Sequence, residues 1–117
     1  MAVTTRVDLY VPQGSTYIHT FEYVASDGSA IDLTGYTARM QIRETVDATT
    51  TIYEATSAGG EITTTPLEGK VVLTIDATDT SAFTFSTAVY DLELEATDTT
   101  VIRLVKGKVK LDKEVTR

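Results

Sequence analysis

The chain has no cysteine, no tryptophan and a single histidine, His19. Without cysteine, a disulfide framework, a thiol nucleophile and a thiolate metal site are all excluded. With one histidine, most pairs of a nucleophile and a general base are excluded too, since no orienting partner for it can be identified. Glycine-rich phosphate loops are also missing. These absences count chiefly against enzymes, and the sequence predicts no catalytic residue, no metal site and no cofactor.

Long hydrophobic runs are absent as well. No stretch approaches eighteen consecutive apolar residues, so the sequence predicts no membrane span. The segment Met1–Arg6 lacks the apolar core of a secretory signal. The 117 residues are 42% hydrophobic and 23% charged, which is ordinary for a folded domain. The length predicts one domain covering residues 1–117.

Negative charge dominates the chain but not its last segment. The net charge is −7, from 17 acidic and 10 basic residues, and such a chain is repelled by nucleic-acid phosphates. Residues 103–117 nevertheless carry six basic and two acidic residues. This segment is either a solvated edge strand whose lysines block edge pairing, or a strand that faces the acidic body of a neighbouring molecule. The candidate partner-binding residues are Arg103, Lys106, Lys108, Lys110, Lys113 and Arg117.

Hydrophobic residues alternate with a period of two, and threonine, a strand-favouring residue, makes up 23 of the 117 positions. One helical turn is expected over residues 77–82. The pattern predicts an all-β fold, an antiparallel immunoglobulin-like β-sandwich of seven to nine short strands, with a barrel as the alternative. The predicted strands cover residues 3–11, 16–24, 37–45, 51–55, 61–65, 70–76, 89–96, 101–106 and 108–115, with a bulge or bend at Gly107 between the last two.

The hairpin around residues 97–100 can be aligned from the sequence. Directly paired residues lie on the same face of a sheet, so only two registers keep the apolar residues of both strands together. Arg103 lies opposite Glu93 in one register and opposite Glu95 in the other. An exposed pair of this kind contributes about 0.2–1 kcal/mol and chiefly fixes the register.

Three other groups of residues are candidate sites. Arg39 and Arg43 with Tyr36 could contact a small anion, but a solvated strand face is the preferred interpretation. His19 alternates with aromatic residues on one half-buried face, which favours packing over chemistry. Tyr90 opens a late strand, as the tyrosine of a sandwich "tyrosine corner" does, and is interpreted as structural. The tyrosines available to a glycan are Tyr10, Tyr36 and Tyr53.

Several short motifs carry a family resemblance. They are I-D-L-T-G-Y at 31–36, Y-D-L-E at 90–93, V-x-R-L-x-x-G-x-V at 101–109 and V-T-R at 115–117. Together they resemble small β-sandwich virion proteins of tailed bacteriophages. The layout from about residue 13 to 117 is similar to the N-terminal domain of phage upper-baseplate proteins, which attach receptor-binding parts to the tail. The motifs are turns and strand starts, and no catalytic residue comes with them.

This resemblance implies a non-enzymatic virion structural protein, an adaptor in the tail or baseplate region that docks larger components. The expected partners are other virion proteins and further copies of the chain, in a particle assembled in the host cytoplasm. No nucleic acid, membrane or small-molecule substrate is expected. A capsid decoration protein is the first alternative, because these 117 residues include no coiled-coil stalk or second domain. A carbohydrate- or receptor-binding module is the second.

Overall fold

The structure is a computed structural model that describes residues 5–25 and 27–116. It contains nine strands, one short α-helix and one 3-10 turn at Pro66–Glu68. No helix in these two ranges is long and apolar enough to cross a membrane. The elements are β1 (Thr5–Arg6), β2 (Leu9–Pro12), β3 (Tyr17–Glu22), β4 (Thr37–Arg43), β5 (Thr51–Thr56), β6 (Ile62–Thr65), β7 (Lys70–Ile75), α1 (Ala77–Ser81), β8 (Thr87–Glu95) and β9 (Val101–Asp112).

The strands form two sheets around one core, which confirms the all-β sandwich. The larger sheet has the order β1–β9–β8–β4–β5, with β2 also paired to β9, and the smaller has the order β3–β7–β6. The chain changes sheet four times, at β2–β3, β3–β4, β5–β6 and β7–β8, as chains do in immunoglobulin-type sandwiches, while β4–β5, β6–β7 and β8–β9 pair within one sheet. The antiparallel prediction needs one correction, because β1 and β2 both run parallel to β9.

The core is built from the inward positions of both sheets, as the alternation predicted. The central strands show the pattern clearly: every second residue of β4, β7 and β8 is buried. Fully buried large side chains come from both layers, among them Met40, Ile42, Leu73, Ile75 and Leu92. Because the other residues of these strands point outward, one face of each sheet is left for solvent or partners.

The β8–β9 hairpin follows one of the two predicted registers close to its turn. Glu93 lies opposite Arg103, as one register required. Beyond this pair a β-bulge shifts the register by one residue, and Leu104 and Val105 are buried consecutively. The bulge thus lies at these two residues and not at Gly107. Since it moves the inward positions from even to odd numbers, the lysines at even positions beyond it point outward.

Gly107 lies within one continuous strand, so the two separate strands predicted for residues 101–115 are a single element, β9. The first predicted strand is conversely interrupted at Val7–Asp8, directly opposite this glycine. There the Asp8 carboxylate accepts the Lys108 N–H at 3.0 Å, in place of a backbone carbonyl. This hydrogen bond, more than any nearby charge, lowers the pKa of Asp8.

At this break between β1 and β2, the Val7 carbonyl accepts a hydrogen bond from Tyr90. Its hydroxyl donates to Val7 O at 2.5 Å. The structural interpretation of Tyr90 holds, but the bond reaches a residue 83 positions away, whereas a tyrosine corner binds backbone a few residues upstream. Burial of the phenol is the main cause that raises its pKa. Tyr90 thus fastens the N-terminal strands to the centre of the larger sheet.

The Tyr90→Phe variant tests this fastening. We expect it to lower the free energy of unfolding by about 1–3 kcal/mol, because the Val7 carbonyl is left without its donor in a partly buried position. Tyr10→Phe is the control, since Tyr10 is 63% exposed, and it should change stability by less than about 0.5 kcal/mol. Urea unfolding of both variants measures the effect, and equal stabilities would contradict the role given to Tyr90.

His19 lies in the predicted aromatic row on β3. Its ring is stacked with that of Tyr17 and lies 4.5 Å, centroid to centroid, from the ring of Phe21. Desolvation lowers its pKa and favours the neutral imidazole. The histidine is therefore part of the packing between the strands, as its place in the row indicated.

Candidate functional site: a basic groove on the larger sheet

The outward face of the larger sheet carries a groove of about 730 Å³ that is lined by residues of β4, β5, β8 and β9 together with Arg6 and Val46. We call it the basic groove. Six of the nine basic residues in the described ranges line it, but only three of the seventeen acidic ones, Glu54, Asp91 and Glu93. The six basic residues are Arg6, Arg39, Arg43, Arg103, Lys106 and Lys108.

Strand pairing places the charges in rows across the sheet. One row joins Arg39 on β4, Glu93 on β8 and Arg103 on β9. The next row joins Gln41, Asp91 and Lys106, which in turn lies beside Arg6 on β1. A third row joins Arg43, Val89 and Lys108. Because neighbouring strands lie about 4.8 Å apart, residues of β1, β4, β5, β8 and β9 line the same groove.

Ion pairs on one side of the groove fix part of this charge. Arg39 Nε donates to Glu93 Oε1 at 2.9 Å, and Arg39 Nη1 lies 3.6 Å from Glu95 Oε1. Arg103 Nη1 lies 4.0 Å from Asp91 Oδ2. The hydrogen bond and charge of Glu93 raise the pKa of Arg39 above its ordinary value.

Asp91 on the groove floor is half-buried. Desolvation is the main cause that raises its pKa, with a contribution from Glu93, while Arg103 and the arginines of β4 oppose the rise. The floor is thus partly shielded from water, and charge brought onto it interacts more strongly than at an open surface.

The six predicted partner-binding residues do not all come together. Arg103, Lys106 and Lys108 line the basic groove. Lys110 lies further along β9, with its ammonium 5.6 Å from the centre of the Tyr10 ring. Lys113 lies beyond the end of β9 and is exposed. Arg117 falls outside the described residues.

Arg6, Arg39 and Arg43 belong to the groove but were not among the predicted binding residues. The sequence predicts a solvated strand face for Arg39 and Arg43, with an anion contact as the alternative, and both residues line the outward face of the sheet. What the sequence did not show is that β4 and β9 flank the same strand, β8. A search for basic residues at outward positions of every strand would have included both arginines.

The three tyrosines named for glycan binding lie apart. Tyr10 on β2 and Tyr53 on β5 are at opposite edges of the larger sheet, and Tyr36 precedes β4. Tyr53 lines a smaller cavity of about 360 Å³ with Phe83, Phe85 and two carboxylates. Its hydroxyl is buried and has no hydrogen-bond partner within residues 5–25 and 27–116, and desolvation raises its pKa to about 12.

Neither metal-ligating residues nor known relatives indicate a further site in the described ranges. Within the described ranges, no three His, Asp or Glu side chains are grouped so that they could hold a metal ion. No protein-family model matches the chain, and no curated protein matches its sequence. The basic groove is therefore defined by its own geometry and charge.

Proposed function

We propose that the chain is a non-enzymatic structural protein of a tailed-bacteriophage particle, an adaptor in the tail or baseplate region that docks larger components. The observation that carries the docking role is the charge of the basic groove, which gathers six of the nine basic residues that the structure describes in an acidic chain. A surface of this kind selects partners by electrostatic complementarity and steers their approach.

The assignment to a virion is supported by the motifs that resemble bacteriophage virion proteins. The residues of its motifs occupy structural positions: I-D-L-T-G-Y forms the bend before β4, Y-D-L-E lies in β8 and V-x-R-L-x-x-G-x-V lies in β9. In the bend, Asp32 accepts hydrogen bonds from the backbone and hydroxyl of Thr34, and Gly35 has a φ of 85°. These motifs specify a rigid frame that presents the groove, which suits a building block. The partners proposed are other virion proteins and repeated copies of the chain.

Copy number in the purified particle tests the proposal. An adaptor of the tail or baseplate region is expected in roughly small multiples of three or six, as the symmetry of those parts requires. Quantitative mass spectrometry against the shell protein measures this ratio. Near-equimolar abundance with the shell protein would instead favour capsid decoration, the alternative that the sequence left open. Absence from particles would overturn the virion assignment.

A charge reversal in the groove tests the docking surface in the same particles. Lys108→Glu is expected to reduce incorporation about tenfold or more, because it places a carboxylate where the partner meets a cation. Lys70→Glu makes the same change on the smaller sheet and should incorporate normally. Equal incorporation of the two variants would contradict docking through the groove.

A further inference from the structure

The unbalanced positive charge of the basic groove is concentrated on three side chains. Arg39 is paired with Glu93, and Arg103 lies in ion-pair range of Asp91. Arg6 lies 3.5 Å from Asp8. The groove has three further cations. In the part of the chain that the structure describes, no carboxylate oxygen lies within 4.0 Å of their charged nitrogens. These three are Arg43, Lys106 and Lys108.

The three cations surround one small area of the sheet. Arg43 and Lys108 are the registered neighbours of Val89, one on each side. Two strand spacings separate their backbones, about 10 Å, so a group held above Val89 lies between these two residues. Lys106 lies two residues from Lys108 on the same face of β9, about 7 Å along the strand.

Arg43 is held in place before any partner arrives. Its Nη1 donates to Ala48 O at 2.8 Å, and its Nη2 donates to Gln41 Oε1 at 2.8 Å. Gln41 is fixed in turn, because its amide donates to Glu54 Oε2 at 2.8 Å. Both hydrogen-bond acceptors of Arg43 are neutral, and the carboxylate that its charge reaches, Asp91, makes no ion pair with it. Such preorganisation reduces the entropy cost of binding an anionic group.

Apolar side chains border the same area. Val89 is half-buried on the groove floor, and Val46, which lines the groove from the loop between β4 and β5, is 83% exposed. Three cations around an aliphatic patch fit a carboxylate that has an aliphatic side chain beside it. An extended peptide with alternating acidic and aliphatic residues has this chemistry.

A long polyanion fits the chain less well than a short peptide segment. Among the described residues that do not line the groove, fourteen are acidic and only three are basic. At physiological ionic strength charges act over about 8 Å, so a short acidic segment senses the groove, whereas a nucleic acid that extends past it meets the acidic surface.

We infer that Arg43, Lys106 and Lys108 form a carboxylate-binding subsite above Val89, and that its occupant is an acidic, aliphatic segment of a partner protein. The inference rests on the proposed docking role of the groove and names the chemistry of what docks there. The matching side chains on the partner are glutamate or aspartate for the cations and valine, leucine or isoleucine for Val46 and Val89.

The test is a titration of the ¹⁵N-labelled protein with the peptide acetyl-Val-Glu-Val-Glu-Val-amide, followed by amide chemical shifts. We expect saturable shifts at residues 43, 89, 106 and 108, and no saturable shift with the peptide in which glutamine replaces both glutamates. Lys108→Gln should weaken binding about tenfold, as expected when one partner of a charge pair is removed. Lys70→Gln is the matched control and should bind as the unsubstituted chain does.

Three results would overturn the subsite: no saturable shift, equal binding of the glutamine peptide, or tighter binding of an oligothymidylate of similar length. The particle experiment with Lys108→Glu remains separate from all three. If incorporation fails in that variant while the peptide does not bind, the groove is still the docking surface and only the carboxylate chemistry is wrong. If the peptide binds while incorporation is normal, the subsite stands and the docking role fails.

Discussion

Replacing Gly107 with alanine is expected to lower the free energy of unfolding by about 3 kcal/mol, because the new methyl group has no room. A Cβ at this position would overlap the Val7 carbonyl oxygen and lie 2.7 Å from the carbonyl carbon. Both atoms are backbone, so relief requires the N-terminal strands to move away from β9. That movement would also break the bond from Tyr90 to the same oxygen.

Gly59→Ala is the matched control for this substitution. The φ of Gly59 is not positive, and its nearest neighbour is the carboxylate of Glu61, the end of a flexible side chain that can shift at the cost of one hydrogen bond, which its Oε1 accepts from the Thr56 N–H at 3.1 Å. It should cost less than about 1 kcal/mol. Urea unfolding of both variants gives the comparison. Similar stabilities for Gly107→Ala and Gly59→Ala would show that the Val7 carbonyl leaves room for a side chain at position 107.

A double-mutant cycle extends the test. Tyr90→Phe and Gly107→Ala both act through the Val7 carbonyl, so their effects should not add. If alanine at 107 already displaces that carbonyl, removal of the Tyr90 hydroxyl costs little more. Additive effects would mean that the two residues act independently.

The strand predictions succeed where the physical signal is local. Alternation along one strand decides which side chains are buried, and it placed the inward residues of β4, β7 and β8 correctly. Because a short turn joins the two strands, parity limited the partner of Arg103 to Glu93 or Glu95, and the structure has Glu93 there. The position of the bulge could not be read in this way. Leu104 and Val109 both face inward, so the inward positions of β9 change from even to odd numbers somewhere between them. This change requires one irregular position, and glycine is the usual candidate. Gly107 instead allows the close approach of Val7 to β9.

The groove was only partly predictable for a related reason. Lys106 and Lys108 lie in a segment whose basic composition is visible along the chain. Arg43 joins them because β8 lies between β4 and β9, and this is a property of sheet order, not of neighbouring sequence. The parallel docking of β1 and β2 on β9 depends on contacts across about a hundred residues. No local pattern encodes contacts of that range.

Thr80 in α1 also makes contacts with residues that are distant in sequence, and these could not be predicted from a local pattern. The sequence predicted a helical turn over residues 77–82, and α1 forms there, but nothing marked this threonine. It is fully buried, and its hydroxyl donates to Ser15 O at 2.8 Å and accepts the Gly14 N–H at 3.1 Å. One side chain thus joins α1 to the turn between β2 and β3.

Thr80→Val is therefore expected to lower the free energy of unfolding by about 2–4 kcal/mol. Valine matches threonine in shape, so the cost arises from two backbone groups that lose their partner, Gly14 N–H and Ser15 C=O. Thr80→Ser keeps the hydroxyl and removes one methyl group, which should cost about 1 kcal/mol. The order threonine, serine, valine in urea midpoints would establish hydrogen bonding as the function of this residue. Valine at least as stable as serine would show that packing, and not the hydroxyl, holds the turn against α1.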